Sequence, residues 1–245
     1  MPAPTDPVLS IVLPVYNEQK VLKNSLDVIS GYIGSLELPF EIVAVDDGSS
    51  DESRRILDEH ASEDPRLRVL ALAQNQGKGA AVRHGVLESR GQLVFFMDAD
   101  LSTPLTEIPS FLESLDQGFD VVLGNRRIAG SSITRRQPFL REALGKGFTT
   151  LTRTLVAPGI TDFTCGFKAF TQDAAREVFS RSTLSGWAFD AELVAIAQEQ
   201  GLRITQLPVS WAHEDDTKVA LGSAVVRSLK EILMISFRRS RGDYR

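Results

Sequence analysis

The feature of this sequence that most constrains its fold is an alternation of short apolar runs with amphipathic segments of helical length. Runs rich in Val, Ile and Phe predict strands at residues 10–15, 41–46, 67–73, 93–98 and 120–123. Helical periodicity predicts helices at residues 18–33, 51–61, 78–89 and 105–115. Strands that alternate with such helices form a parallel sheet covered on both faces, and ligands bind at the carboxyl ends of its strands.

The second half of the chain is less regular but carries the same kinds of element. Its patterns predict helices at residues 138–156, 188–200 and 219–237 and strands at 166–171 and 204–209. No internal repeat or linker separates the two halves. We therefore expect one α/β domain over residues 1–245, with a Rossmann-like, mostly parallel central sheet flanked by helices. Amphipathic helices are expected in its C-terminal half.

Composition excludes several classes of protein. The chain has 245 residues, of which 42% are hydrophobic and 24% charged, as in an ordinary globular domain. A net charge of −5 argues against general nucleic-acid binding, and a single cysteine, Cys165, excludes an internal disulfide. Residues 1–9 lack the pattern of a secretory signal, and no apolar run approaches the length of a membrane span. We expect a cytoplasmic protein that does not cross a bilayer.

Positive charge is nevertheless concentrated in two stretches. Residues 126–153 contain seven Arg and Lys against one acid, and residues 227–245 contain six against two acids. Basic stretches in an acidic chain predict local anionic partners, either phosphates or the anionic surface of a membrane. The alternative is that each stretch is a solvated helix face.

Polar residues follow the predicted strands, where a parallel sheet binds its ligands. Asp46 and Asp47 end the second strand, and such carboxylates suit the N–H donors of a uracil or guanine ring. Residues 77–79, Gly-Lys-Gly, follow the third strand and allow a phosphate to approach a helix N-terminus. Asn17, after the first strand, has a purely structural alternative as the cap of the helix expected at residue 18.

The most specific motif, Asp98-Ala99-Asp100, lies at the end of the fourth predicted strand. In an extended chain residues i and i+2 share a face, so both carboxylates can point at one site. Carboxylate oxygens together with diphosphate oxygens are the ligands that Mg²⁺ or Mn²⁺ takes. The sequence therefore predicts a divalent metal site here. The alternative is a turn in which Asp98 or Asp100 binds its own backbone.

These motifs occur in the order and spacing of a known family. The upstream set is Pro14-x-Tyr16-Asn17-Glu18, Asp46-Asp47-Gly48-Ser49-x-Asp51, Gly77-Lys78-Gly79 and Asp98-Ala99-Asp100. The downstream set is Gly124-Asn125-Arg126, Gly159-Ile160-x-Asp162-x-x-Cys165-Gly166-Phe167-Lys168-x-Phe170 and Trp187-Ala188-Phe189-Asp190-x-Glu192-Leu193. The first set resembles family 2 glycosyltransferases of GT-A fold. The second resembles the dolichyl-phosphate β-glucosyltransferases and their prokaryotic polyprenyl-phosphate relatives.

The resemblance implies that residues 1–125 bind a nucleotide-diphosphate sugar and a metal. UDP-glucose is the preferred donor and GDP-mannose the second candidate, with Mg²⁺ or Mn²⁺ as cofactor. Asp98 and Asp100 are the implied metal ligands, Asp100 being the principal one. The residues expected to bind the nucleotide sugar are Pro14, Tyr16, Glu18, Asp47, Lys78, Asp98 and Ala99.

The resemblance also implies that residues 126–245 bind the acceptor, a polyprenyl or dolichyl phosphate. Arg126, at the end of the fifth predicted strand, is expected to bind the acceptor phosphate, and the expected helpers are Arg135, Arg136 and Arg141. The amphipathic segments are expected to lie on a membrane surface, at its cytoplasmic face. The alternatives are that they pack on the sheet, form a homo-oligomer interface or bind a membrane-anchoring subunit.

The implied reaction is one displacement at the anomeric carbon that inverts its configuration. A hydroxyl acceptor would require a general base, for which Asp162, Asp190 and Glu192 are candidates. We name Asp162 as a catalytic residue together with Asp100 and Arg126. A phosphate acceptor needs no base, because its oxygen is already anionic at neutral pH. The basic stretch after the fifth strand favours the phosphate.

Other functions remain open at this point. One is a family 2 transferase acting on a saccharide or soluble hydroxyl, and another is a sugar nucleotidyltransferase, whose glycine loop would follow the first strand. A third is a catalytically inactive nucleotide-sugar-binding module, against which the intact Asp98 and Asp100 argue. Ser102 stands where the mannosyl relatives carry a Gln metal ligand, so a third protein ligand is not identified. His213 is a candidate contact for the metal or diphosphate.

Overall fold

A computed structural model of the protein describes residues 6–135, 139–212 and 221–245. Its central sheet has seven strands in the order β3-β2-β1-β4-β7-β5-β8, and β6 and β9 form a small second sheet. The strands are β1 (Leu9–Val15), β2 (Phe40–Asp46), β3 (Leu67–Ala71), β4 (Leu93–Met97), β5 (Val121–Asn125), β6 (Ser132–Arg135), β7 (Phe167–Thr171), β8 (Ile204–Pro208) and β9 (Ser210–Ala212).

Helices cover both faces of the large sheet, as a parallel sheet requires. One face is packed against α1, α2 and α4, and the other against α3, α6, α7 and α8. The helices are α1 (Leu22–Gly34), α2 (Ser53–Glu63), α3 (Lys78–Glu88), α4 (Ile108–Asp116), α5 (Phe139–Leu155), α6 (Gln172–Arg181), α7 (Phe189–Glu199) and α8 (Leu221–Arg241).

Strand β1 shows why its sequence is a continuous apolar run. Ile11 and Leu13 pack into the core on one face, whereas Val12 packs into the core on the other. Successive side chains of a strand point to opposite faces, so a strand buried on both faces must be apolar at every position. Ser10 is the exception, and its hydroxyl donates to the buried Glu41 carboxylate at 2.7 Å.

Strand β7 runs antiparallel to both of its neighbours, β4 and β5. The parallel strands β1, β2, β4 and β5 end at one edge of the sheet, and β7 starts at that edge. The segment that leads into β7 therefore lies beside the ends of β4 and β5. This arrangement brings residues 162–166 of the second half into contact with strand-end residues of the first half.

Helix α1 begins later than its sequence pattern predicts. The expected start was residue 18, with Asn17 as cap, but α1 begins at Leu22 and its N-cap is Val21. Asn17 instead adopts a left-handed conformation, φ 54°, and its side-chain oxygen accepts from the Ser50 amide at 2.7 Å. The capping prediction was wrong because the oxygen binds the loop after β2, a contact distant in sequence.

Three elements were not predicted from the sequence. They are helix α6 and the short parallel strands β6 and β9. The start of α6 carries a local signal, since the Thr171 hydroxyl accepts from the Ala174 amide at 3.3 Å as a helix N-cap. The pairing of β6 with β9 joins segments far apart in sequence, so no local pattern announces it.

Helix α8 is amphipathic, as expected, and both of its faces are visible in the structure. Ile232 and Ile235 are fully buried against the sheet-side core. On the outer face Leu229, Leu233 and Phe237 are 41%, 60% and 60% exposed. Within the described part of the chain, every helix is too short or too polar to cross a membrane.

Candidate active site

The turn after strand β4 carries the two carboxylates expected to bind a metal. The Asp98 amide donates to the Gly166 carbonyl at 3.1 Å, which ties the end of β4 to the start of β7. Oδ1 of Asp100 accepts from the Ser102 amide at 2.9 Å. Asp100 thus makes the local backbone bond considered as the alternative to metal binding. That bond uses one lone pair and leaves the others available to a cation.

The chemistry of this pair fits a divalent metal. Burial and the neighbouring Asp98 charge raise the pKa of Asp100, so a bound dication would relieve the repulsion. No cluster of three His, Cys, Asp or Glu side chains in the described ranges could hold a metal ion. The two carboxylates suit a site at which water and phosphate oxygens complete the shell of the ion. Ser102 hydrogen-bonds to Asp100, the expected principal ligand.

The glycine loop after β3 is fastened to the end of β2 by Asp47. Its two carboxylate oxygens accept from the amides of Gln76 and Gly77 at 2.7 and 2.9 Å. Burial raises the pKa of Asp47, although these two hydrogen bonds oppose the shift. Gly77 has a φ of 101°, and a β-carbon there would lie 2.5 Å from the Ser185 carbonyl. The loop therefore requires glycine and packs against the segment before α7.

Lys78 is the first residue of α3, and it faces the carboxylates at the end of β4. Its ammonium lies 2.5 Å from Oδ1 of Asp98. Burial alone would lower the pKa of Lys78, but the charges of Asp98, Asp190 and Asp100 outweigh burial and raise it. Lys78 therefore stays cationic near neutral pH, at a helix N-terminus whose own dipole also attracts anions.

The loop after β1 brings the remaining predicted nucleotide contacts to the same edge. Pro14 pairs in register with Val45, one residue from the end of β2. The Glu18 amide donates to the Ser53 hydroxyl at 2.7 Å, which holds this loop against the start of α2. Tyr16 is 38% exposed at the edge, whereas Ala99 is buried in the core.

Arg126, directly after β5, is held by a network of hydrogen bonds. Its Nε and Nη2 donate to the two carboxylate oxygens of Asp162 at 2.7 and 2.8 Å, and Nη2 also donates to the Thr164 hydroxyl at 3.0 Å. The guanidinium lies over the Trp211 ring, 5.2 Å from its centroid. Burial alone would lower the pKa of Arg126, but Asp162 outweighs it and raises the pKa. The group is a fixed, permanent cation.

Three acidic residues close to this edge were candidate general bases, and each is buried and engaged. Asp162 is fully buried against Arg126. Asp190 lies 2.5 Å from the ammonium of the buried Lys168. Glu192 accepts from the Leu184 amide at 2.8 Å and from the Tyr244 hydroxyl at 3.0 Å.

The part of the chain that carries these strand-end residues matches the model of a known family. The model of the family described as glycosyl transferase family 2 matches residues 10–179, which run from β1 into α6 and include every strand-end motif of the first half. The chain is a family 2 glycosyltransferase.

Relatives of this glycosyltransferase share a name. The dolichyl-phosphate β-glucosyltransferase of Dictyostelium discoideum is 34% identical over 244 residues, which are 94% of this chain and 74% of the relative. The human enzyme of the same name is 31% identical, with 97% and 77% of the two chains covered. That of Saccharomyces cerevisiae is 30% identical, with 97% and 76% covered. The family expected from the motifs is thus confirmed.

Solved structures confirm the GT-A fold. Glucosyl-3-phosphoglycerate synthase from Mycobacterium tuberculosis, in complex with UDP, aligns with a TM-score of 0.70 at 19% identity, covering 94% of this chain and 80% of that one. The same synthase with Mn²⁺, UDP and glucosyl-3-phosphoglycerate aligns with a TM-score of 0.69 at 18% identity, with the same coverage. At these identities the likeness establishes the fold.

The geometry argues against the catalytic role predicted for Asp162. Burial alone would raise its pKa, but the charge and hydrogen bonds of Arg126 outweigh burial and lower it. A carboxylate with a lowered pKa and both oxygens bound to a guanidinium is a poor general base. We therefore expect Asp162 to position Arg126, a contact that the sequence does not display.

Sequence reasoning missed two residues beside Arg126. The Thr164 hydroxyl and the Trp211 ring both contact its guanidinium. Thr164 lies two residues after Asp162, and this spacing was a signal that both side chains could face one partner. Trp211 comes from the distant β9, so no local pattern linked it to Arg126. Several predicted contacts lie outside the described residues, namely Arg136, His213 and the side chains of Arg135 and Arg141.

Proposed function

We propose that this glycosyltransferase transfers glucose from UDP-glucose to a polyprenyl phosphate in one inverting displacement. The observation that carries the choice of acceptor is the state of the three candidate bases. Asp162 is paired with Arg126 and Asp190 with Lys168, and Glu192 binds two backbone amides. A hydroxyl acceptor would need one of them to take a proton. A phosphate acceptor needs none.

Cations at the edge of the sheet support an anionic acceptor and an anionic leaving group. Lys78 stands at the N-terminus of α3, and Arg126 stands at the end of β5 with a preorganised guanidinium. Arginine held in a fixed plane binds phosphate oxygens with charge-assisted hydrogen bonds. The names of the relatives from three organisms agree with dolichyl phosphate as the acceptor.

The donor pocket is proposed at the ends of β1, β2 and β4. Pro14, Tyr16, Glu18 and Asp47 would surround the base and ribose, and Lys78 would face the diphosphate. Asp98 and Asp100 would hold Mg²⁺ or Mn²⁺, which neutralises charge on the leaving diphosphate when it is bound. The residues of this chain would orient the donor and exclude water from the anomeric carbon.

The outer face of α8 supports contact with a membrane surface, where a lipid acceptor would be found. Leu229, Leu233 and Phe237 recur every four residues and form one exposed apolar stripe. Lys230 and Arg241 flank this stripe, and the Arg241 guanidinium lies 5.5 Å from the centre of the Phe237 ring. An apolar stripe with flanking cations suits the interface of the anionic cytoplasmic leaflet.

The test is transfer by the purified full chain with matched substrates. Radiolabelled UDP-glucose is incubated with a polyprenyl phosphate in detergent and Mn²⁺, and the lipid-linked product is examined for the β-anomer. GDP-mannose and a free polyprenol serve as controls for donor and acceptor. Transfer to the phosphate but not to the alcohol supports the proposal. Transfer to the free polyprenol or to an added saccharide, with none to the phosphate, refutes it.

A further inference from the structure

The segment that leads into β7 contacts both halves of the proposed site. Asp162 and Thr164 bind the Arg126 guanidinium. Two residues later, the Gly166 carbonyl accepts a hydrogen bond from the Asp98 amide, and the Gly166 backbone lies against the Asp98 carboxylate. This short segment, residues 162–166, therefore fixes the end of β5 relative to the end of β4. Whatever holds its backbone also sets the distance between the proposed phosphate anchor and the proposed metal ligand.

Lys168 holds the backbone of this segment through hydrogen bonds. Its side chain is fully buried in the middle of the sheet, where an unpaired ammonium would be very costly. The ammonium donates to the carbonyls of Phe163 and Cys165 at 3.0 and 2.5 Å. It also donates to the Asp190 carboxylate at 2.5 Å. All three N–H groups of the ammonium thus have an acceptor, and two of those acceptors belong to the segment.

The alternation along the segment explains how Lys168 acts on Arg126. The side chains of residues 162 and 164 reach Arg126, whereas the carbonyls of residues 163 and 165 reach Lys168. The Phe163 carbonyl belongs to the peptide between residues 163 and 164, and the Cys165 carbonyl to the peptide between residues 165 and 166. Holding these two peptide planes restrains the Thr164 side chain between them and the adjoining residues Asp162 and Gly166.

Asp190 is the third acceptor of the Lys168 ammonium. It lies in the first turn of α7, where a negative charge is favoured by the helix dipole. Burial raises the pKa of Asp190, and the charges of Lys168 and Lys78 oppose that shift. The Lys168 ammonium also lies 5.2 Å from the centre of the Phe96 ring in β4, so it is enclosed on that side by apolar surface. Solvent does not compete for its hydrogen bonds.

We propose that Lys168 is a positioning residue of the active site, which fixes Arg126 relative to Asp98 by holding the carbonyls of residues 163 and 165. The proposal rests on the proposed function, because it takes Arg126 as the anchor of the acceptor phosphate and Asp98 as a metal ligand. It gives the carbonyl bonds of a buried lysine a role in substrate geometry besides their role in packing.

The test separates the carbonyl bonds from the buried charge. Asp190→Asn removes the carboxylate charge but leaves Lys168 bound to both carbonyls. Lys168→Met with Asp190→Leu removes the carbonyl bonds as well and replaces the ion pair with apolar side chains of similar volume, which buried sites often tolerate. Each variant is characterised by its melting temperature, its acceptor KM and kcat, and its Mn²⁺-dependent affinity for UDP measured by calorimetry.

We expect Asp190→Asn to stay within about threefold of the wild type in both constants. The double variant should raise the acceptor KM and weaken Mn²⁺-dependent UDP binding by about tenfold or more each, the effect of losing a hydrogen bond to a charged group. A folded double variant with both constants unchanged would overturn the proposal. So would an equal loss of function in Asp190→Asn, since the charge rather than the carbonyl bonds would then be responsible.

A second pair guards against a double variant that fails to fold. Lys168→Gln with Asp190→Asn places two neutral side chains that can bind each other, and one amide can serve only one of the two carbonyls. We expect intermediate constants for this pair, and wild-type constants in the folded pair would overturn the proposal. Calorimetry with UDP and Mn²⁺ requires no acceptor. A wild type that fails to glucosylate the lipid would therefore refute the proposed function while the role of Lys168 stays measurable.

Discussion

A β-carbon at Gly166 would lie 2.1 Å from Oδ2 of Asp98. No real β-carbon approaches an oxygen so closely, so any side chain at residue 166 must displace the carboxylate. The backbone of Gly166 cannot withdraw easily, because its carbonyl accepts the Asp98 amide at 3.1 Å. Glycine is required here for space beside the Asp98 carboxylate.

Gly166→Ala should therefore lower metal-dependent transfer by about a hundredfold, since displacements of about 1 Å at a reacting centre have effects of that order. The measurement is kcat against Mn²⁺ concentration. Gly147→Ala is the matched control, because nothing lies within 4 Å of a β-carbon at that position in α5. The control should keep full activity and gain about 0.5–1 kcal/mol of stability. Equal activity in both variants would contradict the crowding argument.

Asp100→Ala should abolish Mn²⁺-dependent UDP binding and reduce transfer by about a hundredfold or more, because the diphosphate charge loses its counter-ion. Calorimetry with UDP, with and without Mn²⁺, measures the binding. Asp116→Ala removes an exposed carboxylate at the end of α4 and should change neither quantity. Undiminished activity of Asp100→Ala, or of the wild type in EDTA, would exclude the proposed metal site.

Arg126→Lys should fold and bind UDP within about threefold of the wild type, while its acceptor KM rises about tenfold or more. The ammonium keeps the charge opposite Asp162 but cannot donate two parallel hydrogen bonds. Arg126→Ala should in addition destabilise the fold by about 3–5 kcal/mol, because Asp162 stays buried without its partner. Weakened UDP binding with normal acceptor use would instead assign Arg126 to the donor site.

The Arg126–Asp162 pair also predicts a dependence of stability on pH. The folded-state pKa of Asp162 lies below its usual value of about 4, so the pair stabilises the fold above that pH and the contribution is lost in stronger acid. Arg126→Gln removes the guanidinium charge, so burial is opposed only by the residue 126 amide and the charge of Arg127, and the pKa of Asp162 rises. That variant should therefore gain stability relative to the wild type between pH 7 and pH 5. The measurement is the melting temperature of both proteins at pH values from 7 to 5. If the two melting temperatures change equally with pH, the prediction is contradicted.

Liposome co-sedimentation tests the membrane contact of α8. Binding should require anionic lipid, fall with added salt and weaken by about 1 kcal/mol for each cation removed. Lys230 and Arg241 are the cations to change to Ser, together with Leu233 and Phe237 of the apolar stripe. Arg238 and Arg239 are unsuitable, because they form ion pairs with Glu192 and Glu199 inside the fold.

Val28→Ser, on α1, is the matched control for those substitutions, since Val28 is 43% exposed on a helix of the opposite layer. It should leave sedimentation unchanged. A protein that remains in the supernatant with every lipid tested would refute direct contact. A soluble acceptor or a separate anchoring subunit would then account better for the exposed stripe.

The sequence was sufficient for those features that depend on local patterns. Apolar runs buried on both faces predicted β1, β2 and β4, and Asp98 and Asp100 were recognisable because they end such a run. The orientation of β7 was not predictable from periodicity, since an alternating or apolar run has no direction. Its antiparallel course depends on contacts of Phe167 to Thr171 with two strands distant in sequence.

The roles of charged residues were less predictable than their positions. Asp162 and Lys168 both stood in the motif that identified the family, yet the sequence could not show which charges would neutralise each other. Asp162 binds Arg126, and Lys168 binds Asp190 from another helix. The first pairing favours a role for Asp162 in supporting Arg126 over a role as proton acceptor. Only the packed fold brings the partners within hydrogen-bonding distance.

The position of β7 has a consequence for the nascent chain. Strands β3, β2, β1 and β4 are complete once Met97 has been made, but β4 keeps an open edge until Phe167 to Thr171 emerge from the ribosome. An open, apolar strand edge is a template for wrong pairing during that interval. When β7 inserts, it closes this edge and carries Asp162 to Arg126 and Gly166 to Asp98. Closure of the β4 edge and assembly of the proposed site are therefore one folding event.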